Sequence, residues 1–171
     1  MAFYGTLAGA QAYHEARGNM AWNAGTGTDP QREAALLRAS EALDGIYGPR
    51  FPGKKATRTQ ERAWPRVGAV DHCADEPIPE NETPPEVETA TYALGLAELV
   101  TPGSSTPTLT LGRSVKRQKV GNIEREFFSP EEGVSITLES LRPVLTAVED
   151  ALRCILTPDT RKGGTFTLDR F

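Results

Sequence analysis

The chain has no run of apolar residues near the roughly 20 that a membrane-spanning helix requires, and its start, Met1-Ala2-Phe3-Tyr4-Gly5, lacks the basic and apolar regions of a signal peptide. The protein is therefore expected to stay in the compartment where it is made and to engage no membrane. Cysteine is nearly absent. Cys73 in a loop and Cys154 in a helix, without CxxC spacing, are expected to be free thiols of a reducing cytoplasm rather than a structural disulfide. GxSxG, P-loop and dinucleotide-binding patterns are missing, and Gly25-Thr26-Gly27 is too short to cradle a phosphate. His14, His72 and Cys73 do not have the paired spacing of a zinc site, and His14 is expected to be a surface or capping side chain. No metal and no cofactor are expected. The carboxylates of Asp75, Glu76, Glu80 and Glu82 lie in a Pro-rich loop without the burial or close partners that separate pKa values for acid–base work, so they are expected to be solvated and the protein not to be an enzyme. Aromatic residues make up only 7% of the chain and are scattered, so no groove for stacking bases stands out.

What is present fits one soluble domain with extensions. The chain has 171 residues, 38% hydrophobic and 25% charged, enough for one real core. Its 13 prolines and 16 glycines cluster in a few places, which suggests a small helical body with long arms. The net charge of −4 hides a strong segregation. Between Arg50 and Arg66, six cations (Arg50, Lys54, Lys55, Arg58, Arg62, Arg66) stand against Glu61, a local charge of +5. Between Asp71 and Glu98 there are eight acids and no Lys or Arg, a local charge of −8. Such blocks complement one another between copies, steer a charged partner, or form a plain solvated surface.

The most informative stretch is Gln60-Glu61-Arg62-Ala63-Trp64-Pro65-Arg66, directly after the basic run Lys54 to Arg58. An aromatic and a rigid proline among cations supply no nucleophile or general base at neutral pH, so the segment reads as a docking or packing device. Aromatics beside cations, Trp64 with Arg62 and Arg66 or Phe51 with Arg50 and Lys54, are also what a single-stranded nucleic-acid platform contains. The favoured reading is that Trp64 and Phe51 fill the core or a subunit seam while the cations point outward.

Local patterns predict four helices. The first starts after Thr6 as N-cap and ends at Gly18-Asn19. The second opens on Asp29-Pro30, with Asp29 as N-cap, and runs to about Tyr47, burying Leu36, Ala39, Leu43 and Ile46. The third has Thr83 as cap and Pro84-Pro85 in its first turn, with Val87, Ala90, Leu94 and Ala97 inward and Gly95 permitting close approach of another backbone. Thr101 to Pro107 is a break, read as an exposed loop. The fourth helix, capped by Ser140 with Pro143 in its first turn, presents Leu141, Leu145, Val148, Leu152 and Ile155 before Pro158 stops it. Between helices three and four, alternation about Gly121-Asn122 predicts a charged β-hairpin near 113–128, with Val115, Arg117 and Lys119 on one side and Lys116, Gln118 and Val120 on the other. Its apolar content is too low for it to stand alone. The end, Thr165 to Phe171, alternates like a strand after the joint Gly163-Gly164, and is expected to pair with the edge of a partner sheet.

Ala10-Gln11-Ala12-Tyr13-His14-Glu15-Ala16-Arg17-Gly18-Asn19, then Trp22, Ala35 to Ser40, Tyr47, Arg50-Phe51-Pro52-Gly53, Gln60, Trp64-Pro65-Arg66 and the Pro-opened helix with Val87 and Ala90 together resemble a phage protein family. Its members often carry the label of DnaT-like single-stranded DNA-binding proteins. The same helix order and Trp-Pro-Arg segment resemble the head-to-tail connector, or adaptor, proteins of long-tailed phages and gene transfer agents. The resemblance spans about Tyr4 to Phe127. The connector likeness implies a homo-oligomeric ring of about twelve copies beneath the portal, with arms locking into the portal and neighbouring subunits. The DnaT-like label implies binding of single strands during replication restart.

The resulting expectation is a mainly α protein: a small helical bundle over residues 1–156 that includes the β-hairpin, and a C-terminal arm over 157–171. Its expected role is a connector subunit in the virion neck, made in the bacterial host cytoplasm. Expected partners are the portal, a next neck or tail-completion protein, and duplex DNA that passes through the channel without tight binding. The alternative is a DnaT-like single-stranded DNA-binding replication protein. The expected interface residues are Trp64, Pro65, Arg66, Lys116, Arg117, Lys119, Phe166, Leu168, Arg170 and Phe171.

Overall fold

A computed structural model describes residues 2–23, 27–106, 117–120, 123–126 and 145–158. The chain divides into two compact units, one made of residues 1–105 with 145–171 and the other of 106–144. The protein is mainly α-helical with small antiparallel strand pairs, as its periodicities predict.

In the first unit, α1 (Leu7–Ala16) begins where Thr6 accepts the Gly9 amide at 2.9 Å. A short helix that the sequence did not announce, α2 (Met20–Asn23), follows and buries Trp22. The long α3 (Asp29–Tyr47) is capped one residue earlier than expected: Thr28 is the N-cap, and Gln31 Oε1 reaches back to accept the Thr28 amide at 2.8 Å. Asp29 and Pro30 then occupy the first helical positions, where a missing amide proton and a negative charge are both well placed. A 3₁₀ turn, Gly48–Arg50, ends this segment.

The helix α4 (Pro85–Val100) packs along α3, with α1 and α2 against α4 on one side and α5 (Thr146–Leu152) on the other. The buried face of α4 is Val87, Ala90, Thr91, Leu94, Gly95 and Glu98, whereas Ala97, expected inside, is exposed. At Gly95 it is the Leu36 side chain, not another backbone, that comes close: an added Cβ would lie 2.9 Å from Leu36 Cδ2. Leu145, Val148, Leu152 and Ile155 pack into the core as expected, although the helix ends at Leu152 and Ile155 sits in the turn beyond it. Ser140, Leu141 and Pro143 lie outside the described residues.

Two apolar clusters result. The larger joins Tyr4, Leu43, Tyr47, Phe51, Trp64, Val87, Leu94, Val148, Leu152 and Ile155; the smaller joins Ala10, Trp22, Leu36 and Tyr92. Gly5 is held at φ +76°, and an added Cβ would overlap the Tyr92 hydroxyl, which accepts the Thr6 amide at 3.0 Å. The first turn of α1 is thereby locked on α4.

Two short strand pairs join α3 to α4: β1 (Lys54–Lys55) with β2 (Arg66–Val67), and β3 (Val70–Asp71) with β4 (Glu76–Pro77). In the second unit the expected hairpin is present as β5 (Arg117–Val120) and β6 (Ile123–Glu126), whose register sets Arg117 opposite Glu126 and Lys119 opposite Glu124.

Candidate interaction surface

The Trp-Pro-Arg segment lies inside the fold. Trp64 is 2% exposed and meets Phe51 edge-on at 5.6 Å between ring centroids. Its peptide bond to the half-buried Pro65 is cis. Arg66 is also buried, and no carboxylate among the described residues pairs with it. Its guanidinium donates instead to four backbone carbonyls: Pro52 at 2.6 Å, Gly53 at 2.8 Å, and Phe51 and Ala63 at 3.3 Å each. Burial pushes its pKa below the ordinary value, yet an arginine stays cationic in such a cage. Within this unit, Trp64 and Arg66 clamp residues 51–53 against 63–66.

That clamp supports an exposed basic loop. Gln60 Oε1 accepts the Thr57 amide at 3.0 Å, and its Nε2 donates to the carbonyls of Arg62 at 2.9 Å and Pro65 at 3.0 Å. All of residues 53–59 are exposed, which puts Lys54, Lys55 and Arg58 on the outside of a hydrogen-bonded loop. None of the three forms an ion pair among the described residues, whereas Arg32, Arg38 and Arg62 all do.

The N-terminal segment is stitched to the far end of this loop. Tyr4 donates its hydroxyl proton to Asp44 Oδ1 at 2.5 Å and accepts the Trp64 amide at 3.1 Å, while Asp44 Oδ2 accepts the Ala63 amide at 3.1 Å. Burial raises the pKa of both Tyr4 and Asp44. Arg62 donates to the Ala2 carbonyl at 2.7 Å and pairs with Glu41 and Asp44.

Across β3 and β4 the surface changes sign. Asp75, Glu76, Glu80 and Glu82 are exposed, as expected of solvated carboxylates. A shallow cavity of 160 Å³ opens here, floored by Ile78 and Ile155 and rimmed by Asp71, Glu76, Glu82 and Glu86. Among the described residues no Lys or Arg lines it, and none of the four acids takes part in an ion pair. Asp71 Oδ1 accepts the amides of Cys73 at 2.7 Å and Ala74 at 3.2 Å, which shapes the turn.

Three expectations need correction. Cys73 and Cys154 form a disulfide, with Cα atoms 5.1 Å apart, that ties the β3–β4 turn to the end of α5; the His72 amide donates to the Cys154 carbonyl at 2.8 Å beside it. The Asp71 carboxylate is within 4.8 Å of both sulfurs, but sulfurs bonded to each other offer no thiolate to a metal. His14 is not at the surface: it is fully buried, stacked on Trp22 at 4.6 Å. Its Nε2 donates to the Tyr92 carbonyl at 3.0 Å and its Nδ1 accepts from Asn19 Nδ2 at 3.0 Å, a set of partners that fits one neutral tautomer. The break after α4 is not all exposed either, because Glu98 folds it inward. That buried carboxylate accepts the amides of Gly103 at 2.7 Å and Ser105 at 2.9 Å and pairs with Arg38 at 3.1 Å. Burial alone would raise the Glu98 pKa, but these donors more than offset it and hold it below the ordinary value.

Of the other expected interface positions, Arg117 and Lys119 lie on β5. Lys116, Phe166, Leu168, Arg170 and Phe171, and with them the strand-like end, are outside the described residues. No aromatic side chain among the described residues is exposed. The basic loop was legible as a charge run, but the clamp by Arg66 was not, since no residue pattern distinguishes a guanidinium caged by carbonyls from a solvated one.

The family model described as "Putative DnaT-like ssDNA binding protein" matches residues 3–171. The chain belongs to this family. The DnaT-like match runs through both compact units and the segment beyond α5. No curated protein and no solved structure matches the chain.

Proposed function

We propose that this member of the DnaT-like family is a non-enzymatic connector subunit of a tailed phage or gene transfer agent, forming a ring of about twelve copies on the portal and lining the DNA exit channel. The observation that carries this reading is the placement of the aromatics: Trp64 and Phe51, which the sequence offered as a base-stacking platform, are at 2% and 4% exposure. Sequence-tolerant binding of single strands relies on exposed rings for stacking in addition to cations. The surface offers separated charge blocks instead, which suit protein contacts and a channel that does not grip passing DNA.

The second reading, a single-stranded DNA-binding replication protein, is favoured by the family's description and by the unpaired Lys54, Lys55 and Arg58. Titration of a fluorescent single-stranded oligonucleotide separates the two. At physiological salt the connector reading predicts a Kd weaker than about 1 μM. A tighter, steeply salt-dependent affinity that is lost in the triple variant Lys54→Glu, Lys55→Glu, Arg58→Glu establishes the replication reading instead.

A further inference from the structure

We infer that the basic loop of one copy, Lys54 to Arg58, docks into the acidic groove of a neighbouring copy, and that this contact sets the ring; the inference rests on the connector reading. The groove has an apolar floor, Ile78 and Ile155, and a rim of four carboxylates, Asp71, Glu76, Glu82 and Glu86. The loop has three exposed cations on a base held by the Arg66 clamp and the Gln60 hydrogen bonds. Each patch is without an ion-pair partner among the described residues, although both belong to the same compact unit.

The patches differ in chemistry and in place. A contact that joins two different patches of one subunit closes as a two-fold pair when both patches engage reciprocally, and otherwise propagates head to tail and yields a ring when the rotation closes; the connector reading selects the second course. Lysine and arginine stems lie over Ile78 and the prolines that line the groove while their charged heads meet its carboxylates. Opposite-sign patches also speed encounter and fix register, and their contribution falls with added salt.

The test is charge reversal in the full-length disulfide-bonded chain, read by sedimentation velocity with and without the cognate portal. Reversing the loop (Lys54→Glu, Lys55→Glu, Arg58→Glu) or the groove rim (Glu76→Lys, Glu82→Lys) is expected to weaken self-association at least about tenfold. These residues are exposed and unpaired, so melting temperatures should stay near wild type. An equimolar mixture of the two variants is expected to assemble again, since each acidic loop then meets a basic rim and each basic loop an acidic one. Rings that form equally well in both single-patch variants, or a mixture that fails to assemble although each variant is folded, overturn the groove contact and leave the connector reading standing. A wild-type chain that stays monomeric even with portal present contradicts both.

Discussion

Truncating Trp64 to alanine removes a large buried aromatic packed against Phe51 and sitting 6.0 Å from the Arg66 guanidinium. The expected loss is about 3 to 5 kcal/mol of unfolding free energy, read from urea denaturation. An unchanged midpoint would mean that the ring is exposed and free to stack on bases. His14 makes a separate prediction. Burial lowers its pKa from the ordinary 6.5, helped by the positive charge of Arg17, while the hydrogen bond to the Tyr92 carbonyl acts in the opposite direction. Above pH 6.5 both folded and unfolded states are neutral at this residue and its contribution is fully present. As pH falls below that value the unfolded chain takes up the proton first, so stability declines until the native-state pKa is passed. Urea midpoints measured from pH 8 down to 5 should therefore fall below about pH 6.5, and His14→Gln should flatten that fall. A His14→Gln profile that falls as steeply as wild type below about pH 6.5 would contradict this role for His14.

The elements differ in how plainly the sequence announces them, and the difference has physical causes. Three helix starts were legible to within a residue because caps are local. Thr6 caps α1 as expected, Thr28 displaces Asp29, and Pro84 replaces the expected Thr83 as the N-cap of α4, while α5 starts only at Thr146, later than the expected cap Ser140. The buried stripe of α4 was only half legible. Val87, Ala90, Thr91, Leu94, Gly95 and Glu98 follow one helical face, but three of them are polar or lack a side chain, so apolar counting placed the stripe toward Ala97. Glu98 could be buried only because Arg38, 60 residues away, and two turn amides satisfy it, and no local pattern foretells such distant partners. The same holds for the Cys73–Cys154 bridge, whose cysteines stand 81 residues apart. It joins α5 to the β3–β4 turn and restricts the unfolded chain over that long loop. Cys154→Ser is expected to cost about 2 to 4 kcal/mol, measured by denaturation without reductant. A variant as stable as wild type would show that the bridge adds nothing to packing already in place.

At the scale of the whole molecule, the segregated charges and the buried aromatics meet in one account. The segment richest in aromatics and cations is spent on building the fold: Trp64 and Arg66 go inward, and Lys54, Lys55 and Arg58 are left outside on the loop they support. The acids of 71–86 form a separate face without an ion pair among the described residues. On the proposed connector reading, these two faces meet copies of the chain and neighbours of complementary charge. Electron microscopy of the purified full-length chain mixed with its cognate portal tests this most directly. The account predicts a closed ring of about twelve subunits seated on the portal, reduced in high salt. Portal particles that stay bare while the chain instead coats added single-stranded DNA would contradict it.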